Sequence, residues 1–307
     1  MTKSRRKIIF ILGLSRVGST MLDLVLGSHP KFVGLGEIFQ VLRPDMNRFD
    51  RKEYCSCGEV IDKCPFWGPA AEVLRKNRSA DLQERYRRVF KVFDSVFSSD
   101  NIIVDSSKLL SVLKIIGRLP EVDVKVIYLI RDVRAWTISR LNHRDKNPDY
   151  YSQQGNYVKR IVGQFGWKAQ AFRWVFPLAT KMPVYHFWLW YWQNKQMQNF
   201  LDAHRVEHFQ LGYDELGLNP DQMMTAVFDF LGIGDVNLDF SSLNSKSHVL
   251  IGNTQKTESK RRQGIFYDHR WLYRNDWLLP AAIFPNIMNY NAKEVYKNIK
   301  ANSIWNG

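Results

Sequence analysis

Four segments with the length of a strand recur along the chain, and three of them contain a continuous run of β-branched and other apolar residues. They lie at residues 8–12, 101–105, 124–130 and 206–211, and a shorter run at 32–35 fits a further strand. Segments with apolar residues at helical spacing separate these runs. Strands that alternate with helices are typical of a parallel sheet with helices on both faces. The pattern therefore predicts an α/β fold, a three-layer sandwich with a central parallel sheet.

The predicted helices carry apolar stripes that can face such a sheet. They are expected at residues 21–26, 70–76, 81–97, 109–119, 133–142, 185–204 and 220–231. Ser28-His29-Pro30 is a natural stop for the first of them, and Leu231-Gly232 ends the last. The stretch beyond residue 266 has no clear period, so no element is predicted there.

The first strand runs into a loop of small residues, Gly13-Leu14-Ser15-Arg16-Val17-Gly18-Ser19-Thr20. Strand, glycine-rich turn and helix form the layout of a phosphate-binding loop, whose backbone N–H groups hold an anion at the helix N-terminus. Gly13 and Gly18 have the spacing of an ATP- or GTP-binding loop, but Ser19 stands where that loop has its lysine. Arg16 brings the positive charge into the loop instead. We therefore expect a P-loop-like site in which a guanidinium grips the oxyanion.

Four polar residues each follow a predicted strand: Arg16, Glu37, Lys108 and Arg131. The carboxyl ends of parallel strands meet at one edge of the sheet, where ligands of α/β proteins bind. The sequence therefore predicts that four separate loops deliver these side chains to one site.

Composition supports a real core and an anionic partner. Of the 307 residues, 45% are hydrophobic, and the net charge is +14. Such a charge favours nucleotides, sulfated or phosphorylated ligands, nucleic acid or acidic membranes. No apolar run approaches the roughly 20 residues of a membrane helix. The N-terminus MTKSRRKIIFILGL could pass for a signal peptide, but it has no small-residue cleavage site, so a first strand and a cytoplasmic protein are expected.

We expect one domain over residues 1–307, because neither a repeat nor a long linker divides the chain. Three segments interrupt the alternation: a cysteine-containing insert near 43–67, an aromatic-rich helical insert near 143–204 and a basic loop near 246–265. The tryptophans between residues 167 and 192 form either a packing face or the wall of an acceptor pocket. The basic loop is either a solvated surface or a clamp over an anion. The histidines at 143, 186, 204 and 208 are scattered and predict no site.

The three cysteines, Cys55, Cys57 and Cys64, all fall in the sequence CSCGEVIDKCPFW. Three clustered thiols can bind zinc with a fourth ligand, or two of them can pair. The spacing fits no standard zinc pattern, and no histidine stands nearby in the sequence. A structural role, as reduced thiols or as a local bridge, is therefore favoured.

Two segments together resemble sulfotransferases that use 3′-phosphoadenosine 5′-phosphosulfate (PAPS). GLSRVGST, with the HP and GLGE that follow it, is similar to their 5′-phosphosulfate-binding segment. RDVRAWTISR is similar to their 3′-phosphate-binding segment, whose Arg and Ser correspond to Arg131 and Ser139. The resemblance implies PAPS as co-substrate. No metal is expected, because the transferred sulfuryl group carries a single negative charge.

Further pieces look like the tyrosylprotein and carbohydrate branch of that family and its bacterial members. In that branch an acid after the second strand is the general base, which implies Glu37, and the lysine of VDSSK implies Lys108 at the sulfate ester bridge. HVLIGNTQK resembles a segment over the cofactor, closed by Lys256 or by a later Arg261 or Arg262. The resemblance thus implies three catalytic residues, Glu37, Lys108 and Arg16. The donor site that it implies comprises Ser15, Arg16, Val17, Gly18, Ser19, Thr20, Arg131, Ser139, Gly252, Asn253, Lys256, Arg261 and Arg262.

The predicted function is transfer of a sulfuryl group from PAPS to a hydroxyl of a small molecule, carbohydrate, lipid or peptide. One alternative is a P-loop nucleotide kinase-like phosphotransferase, although the loop lysine is absent. Another is a non-catalytic polyanion-binding protein drawn by the net charge. Since no nucleic-acid-binding motif is present, no nucleic-acid partner is expected.

Overall fold

A computed structural model describes residues 5–43, 45, 48–98, 100–147, 181–234, 247–252 and 265–302. Its centre is a five-stranded sheet with the order β2-β3-β1-β4-β5, and every neighbouring pair is parallel. The strands are β1 (Arg6–Gly13), β2 (Phe32–Gly34), β3 (Ile102–Lys108), β4 (Val122–Ile130) and β5 (His208–Gly212). The five predicted strands are confirmed. The third one extends further than expected, so Lys108 is its last residue rather than a loop residue beyond it.

Helices connect these strands and cover the sheet. In the described part of the chain they are α1 (Ser19–Leu26), α2 (Ile38–Leu42), α3 (Trp67–Lys76), α4 (Leu82–Val96), α5 (Leu110–Ile116), α6 (Val133–Lys146), α7 (Pro183–Ala203), α8 (Tyr213–Leu218), α9 (Pro220–Leu231), α10 (Leu278–Ile283), α11 (Pro285–Val295) and α12 (Lys297–Asn302). None of these helices has both the length and the apolar character needed to cross a membrane.

The side chains of β1 show why the sheet has a layer on each face. Ile8, Phe10 and Leu12 belong to one buried cluster, which also contains residues of α3, α4 and α7. Ile9 and Ile11 alternate with them and belong to a second cluster, which contains residues of α1 and α9. Successive strand residues point to opposite faces, so a central strand buried on both sides must be continuously apolar. The predicted three-layer α/β sandwich is confirmed.

The cysteine-containing insert is irregular but packs onto the first of these clusters. It contains two short 3₁₀ turns, Arg48–Asp50 and Ile61–Lys63, and one antiparallel bridge between Tyr54 and Val60. Phe49, Ile61 and Phe66 of the insert are buried in the cluster. The insert therefore shares the core of the sheet.

Candidate functional site

The loop between β1 and α1 depends on a glycine at its closing turn. Gly18 is the N-cap of α1 and has φ +98°, a left-handed conformation that side chains rarely adopt. A Cβ at this position would also overlap the ring of Tyr213, the first residue of α8. Tyr213 in turn lies under the Arg131 guanidinium, whose carbon is 4.7 Å from the ring centre. Gly18 therefore allows the loop, Tyr213 and Arg131 to pack in successive layers.

Three residues of α6 fasten the same loop from its other side. The Trp136 indole N–H donates to the Ser15 carbonyl oxygen at 2.8 Å. Arg16 Nε donates to Ser139 Oγ at 3.3 Å, and Arg140 donates to Ser15 Oγ at 3.3 Å. The two sequence segments that carry the resemblance are therefore in direct contact, although 123 positions separate Arg16 from Ser139.

Glu37 and Lys108 form an ion pair at the carboxyl edge of the sheet. Lys108 Nζ lies 2.5 Å from Glu37 Oε1, and the side chains are only 10% and 20% exposed. Lys108 Nζ also donates to the Ser106 carbonyl oxygen at 3.3 Å. Glu37 is fixed through its backbone N–H, which donates to the Ile251 carbonyl oxygen at 3.1 Å. These contacts hold a cation and a carboxylate side by side at this edge of the sheet.

Backbone strain is concentrated here. Within the described residues, three non-glycine positions have positive φ: Arg16 at 71°, Lys108 at 67° and Arg205. Left-handed backbone costs roughly 1–2 kcal/mol per residue outside glycine. Such strain gathers where the surrounding structure holds a functional side chain in place.

Arg131 is held by a buried acid, Asp268, that no sequence motif marks. Its guanidinium lies 2.6 Å from Asp268 Oδ2 and donates to the Arg16 carbonyl oxygen at 3.0 Å. Arg270 donates to the same carboxylate. Burial alone would raise the pKa of Asp268, but the hydrogen bonds of Arg270 and the charge of Arg131 bring it well below its usual range. The Trp190 indole N–H donates to the Arg131 carbonyl oxygen at 2.9 Å, so α7 also supports this strand end.

These groups surround a single cavity of about 580 Å³. Of the predicted site residues, the following line it: Ser15, Arg16, Gly18, Ser19, Thr20, Glu37, Lys108, Arg131, Ser139 and Gly252. The Val17 side chain is buried in the core instead, so only the backbone of this residue could contact a ligand. Asn253, Lys256, Arg261 and Arg262 fall outside the described residues. Arg16, Glu37, Lys108 and Arg131, which the sequence predicts to lie together at one edge of the sheet, all line this cavity.

Comparisons with known proteins identify the family of the chain. A sequence model described as "Sulfotransferase family" matches residues 9–236. The chain belongs to the sulfotransferase family. The structure resembles the sulfotransferase domain from the curacin biosynthetic pathway with a TM-score of 0.53 and 18% identity, over 97% of this chain and 99% of that one. This likeness supports the fold. A comparison with curated protein sequences found no match.

Two more distant structural neighbours carry the same family name. The sulfotransferase domain of the Synechococcus PCC 7002 olefin synthase has a TM-score of 0.42 and 17% identity over 92% of this chain and 96% of that one. Sulfotransferase STF9 from Mycobacterium avium has a TM-score of 0.44 and 12% identity over 94% of this chain and 77% of that one.

The cavity is also lined by residues that were not predicted from the sequence as part of a site. They are Gln40, Arg43, Arg48, Arg140, His143, Asn147, Tyr213, Phe266, Asp268 and Arg270. His143, expected to lie apart from any site, is on this list. Burial lowers its pKa, and the charges of Arg16 and Arg140 lower it further, so its imidazole is neutral near pH 7. The described tryptophans of the aromatic insert, Trp188, Trp190 and Trp192, are not among the cavity residues.

A buried carboxyl beneath the site sets the position of the Glu37 turn. Asp23 Oδ2 accepts a hydrogen bond from the Gly36 N–H at 3.1 Å, and Gly36 has φ +72°. Burial raises the pKa of Asp23 from 3.8 to about 7, against the opposing hydrogen bonds from Ser106 and Gly36. Burial also raises the pKa of Asp105 to about 6. Both groups therefore stay protonated in the folded sulfotransferase at a pH where the unfolded chain has released the proton.

The Asp23 carboxyl is expected to make stability fall with rising pH. Because its folded pKa is the higher one, the free energy of unfolding that it adds is lost as pH rises from 3.8 to about 7. Asp23→Asn keeps an acceptor for the Gly36 N–H and cannot ionise. Urea unfolding at about pH 5 and about pH 8 should show a smaller loss of stability for the variant than for the wild type. Asp105 is present in both the wild type and the variant, so its effect on the pH dependence cancels in the comparison. If the stability of both proteins depended on pH in the same way, the prediction for Asp23 would be wrong.

Proposed function

We propose that the protein transfers a sulfuryl group from PAPS to an acceptor hydroxyl, with Glu37 as general base. The observation that carries this proposal is the Lys108–Glu37 ion pair, which lines the same cavity as the anion-binding loop. A cation for the leaving group and a carboxylate for the incoming hydroxyl stand next to each other there. A general base activates the attacking hydroxyl, and a cation stabilises the charge that develops on the leaving oxygen.

The donor would bind along the edge formed by the loop and α6. The N–H groups of Ser19 and Thr20, at the N-terminus of α1, together with Arg16, would hold the 5′-phosphate and sulfonate oxygens. Arg131 and Ser139 would hold the 3′-phosphate, and the segment that begins at Gly252 would close over the nucleotide. The Asp268 carboxylate would orient the Arg131 guanidinium for this task.

In the reaction, the acceptor oxygen attacks sulfur while the bond from sulfur to the bridging phosphate oxygen breaks. Glu37 takes the hydroxyl proton, and 3′-phosphoadenosine 5′-phosphate (PAP) leaves with the bond electrons. Lys108 would exchange its contact with Glu37 for the bridging oxygen, where negative charge grows. Arg16 and Lys108 supply the charge stabilisation, so we expect added Mg²⁺ not to raise the turnover.

Equilibrium binding separates this proposal from the other functions that the sequence allows. Calorimetric titration should give saturable binding of one PAP per chain and much weaker binding of ATP with Mg²⁺, because Ser19 stands in place of the loop lysine. A preference for ATP with Mg²⁺ would favour phosphotransfer. Salt-sensitive binding of heparin without binding of PAP would favour a polyanion-binding protein.

The acceptor class can be found with the labelled donor. ³⁵S-PAPS would be offered with a phenol, a tyrosine peptide, a sugar and a long-chain alcohol, and the products separated by chromatography. We expect labelled sulfate ester from at least one class, with stoichiometric PAP. Release of PAP with only inorganic sulfate in every mixture would contradict the proposed transfer.

A further inference from the structure

A second cluster of reactive side chains lies outside the cavity, in the cysteine insert. The structure places the three thiols beside His248, which comes almost 200 residues later in the chain. Cys64 Sγ is 3.2 Å from His248 Nδ1, and Cys55 Sγ is 3.8 Å from the same nitrogen. Cys57 Sγ is 3.8 Å from Cys64 Sγ. All four potential ligand atoms lie within 4.8 Å of one another.

The three shortest of these distances, 3.2 Å, 3.8 Å and 3.8 Å, are close to those between the ligand atoms of a tetrahedral zinc centre. With Zn–S bonds near 2.3 Å and Zn–N bonds near 2.0–2.1 Å, tetrahedral angles give about 3.8 Å between sulfurs and about 3.6 Å between sulfur and nitrogen. We propose that Cys55, Cys57, Cys64 and His248 bind one structural Zn²⁺. Four protein ligands leave no open position for water, which is the arrangement of structural rather than catalytic zinc. The histidine missing from the local sequence is thus supplied by the fold.

The surroundings of the cluster suit metal-bound thiolates. The Trp67 backbone N–H donates to Cys64 Sγ at 3.3 Å, a contact that stabilises negative charge on sulfur. Gly58, at the turn after Cys57, has φ +95° and allows the chain to fold back sharply between ligands. Zinc binding would release the thiol protons of the three cysteines.

The zinc would tie the insert to the segment that supports the active site. Ser56, between two of the cysteines, donates its backbone N–H to the Val249 carbonyl oxygen at 3.0 Å and its hydroxyl to the Ser247 carbonyl oxygen at 2.7 Å. The His248 N–H donates to the Gly34 carbonyl oxygen at 2.7 Å. Three residues after His248, the Ile251 carbonyl oxygen accepts the hydrogen bond from the Glu37 backbone N–H at 3.1 Å. The metal would therefore anchor residues 247–252 next to the sulfuryl-transfer site without touching the substrate.

The test is the metal content of the full-length protein, purified under reducing conditions without chelator or added metal. Elemental analysis should give one zinc per chain, and a mercurial that blocks thiols should release it to a colorimetric chelator. A folded wild-type chain that contains no zinc and takes up none from added Zn²⁺ would overturn the proposal. A Cys57–Cys64 disulfide in place of metal, or iron in place of zinc, would also overturn it.

Variants at the histidine separate metal binding from general packing. His248→Ala should lose the zinc, whereas His248→Cys should retain it, because four cysteines also form a structural zinc site. His204→Ala, at an exposed histidine at the end of α7, is the matched control and should keep full zinc content. In the wild type, Co²⁺ replacement should produce thiolate-to-cobalt absorption, which His248→Ala should weaken. Equal zinc content in His248→Ala and wild type would contradict the ligand assignment. None of these readouts depends on PAPS binding, so failure of the proposed function would leave this test intact.

Discussion

Replacing Glu37 with glutamine is expected to lower kcat for sulfuryl transfer about 10²–10⁴-fold, the usual contribution of a general base. Glutamine keeps the size of the side chain and an oxygen that can accept from Lys108 Nζ, which lies 2.5 Å away. The amide cannot take up the hydroxyl proton. The Kd for PAP should therefore stay close to the wild-type value, and the loss should fall on kcat. Turnover is measured with ³⁵S-PAPS and whichever acceptor class gives transfer.

His143→Gln is the matched control, because this residue is a second proton acceptor among those lining the cavity. It should retain most of the wild-type kcat. If Glu37→Gln kept the wild-type rate and His143→Gln lost it, the base would be the imidazole and the assignment of Glu37 would be wrong.

Replacing Gly18 with alanine is expected to destabilise the loop and to abolish tight PAP binding. The left-handed backbone costs roughly 1–2 kcal/mol for alanine, and forcing a methyl group into a packed site costs about 1–3 kcal/mol more. The new methyl group would overlap the Tyr213 ring, so either the loop or Tyr213 must move. Denaturant unfolding should show a loss of about 2–5 kcal/mol in the free energy of unfolding, the sum of these two costs. Calorimetry should show a large rise in the Kd for PAP.

Gly232→Ala isolates the backbone part of that cost. Gly232 has φ +68° at the end of α9, and a Cβ there would meet no atom within 4 Å. This variant should lose only the backbone cost and bind PAP like the wild type. Equal loss of PAP affinity in both variants would show that the contact with Tyr213 does not matter for the donor site.

The layered fold could be predicted because its signals are local. The continuous apolar run of β1 and the helical spacing of α4 each report burial without reference to distant residues. The short helix α8 gave no such signal. Its capping contact, from the Gly212 N–H to Glu215 Oε2, is supplemented by donors from Asn298 and Ile299 near the C-terminus. A one-turn or two-turn helix held by such contacts depends on tertiary structure rather than on propensity.

The candidate site likewise contains residues that could be predicted from the sequence and contacts that could not. The shared location of Arg16, Glu37, Lys108 and Arg131 could be predicted because each stands at or soon after the end of a strand, and parallel topology brings strand ends together. The pairing of Arg131 with Asp268 joins residues 137 positions apart, and that of Cys64 with His248 spans 184 positions. No spacing rule reports such contacts. The sequence could therefore indicate the edge of the sheet where the cavity lies, but neither the acid that pairs with Arg131 nor the histidine beside the thiols.

A crystal structure of the protein with PAP bound would test the proposed donor site and the position of Glu37 beside it. We predict the 5′-phosphate within hydrogen-bond distance of the Ser19 and Thr20 N–H groups and of Lys108 Nζ, and the 3′-phosphate against Arg131 and Ser139. We also predict that Glu37 faces the open side of the cavity, where an acceptor hydroxyl can approach. A nucleotide bound elsewhere, or bound in the reverse direction with its 3′-phosphate in the loop, would contradict the proposed donor site.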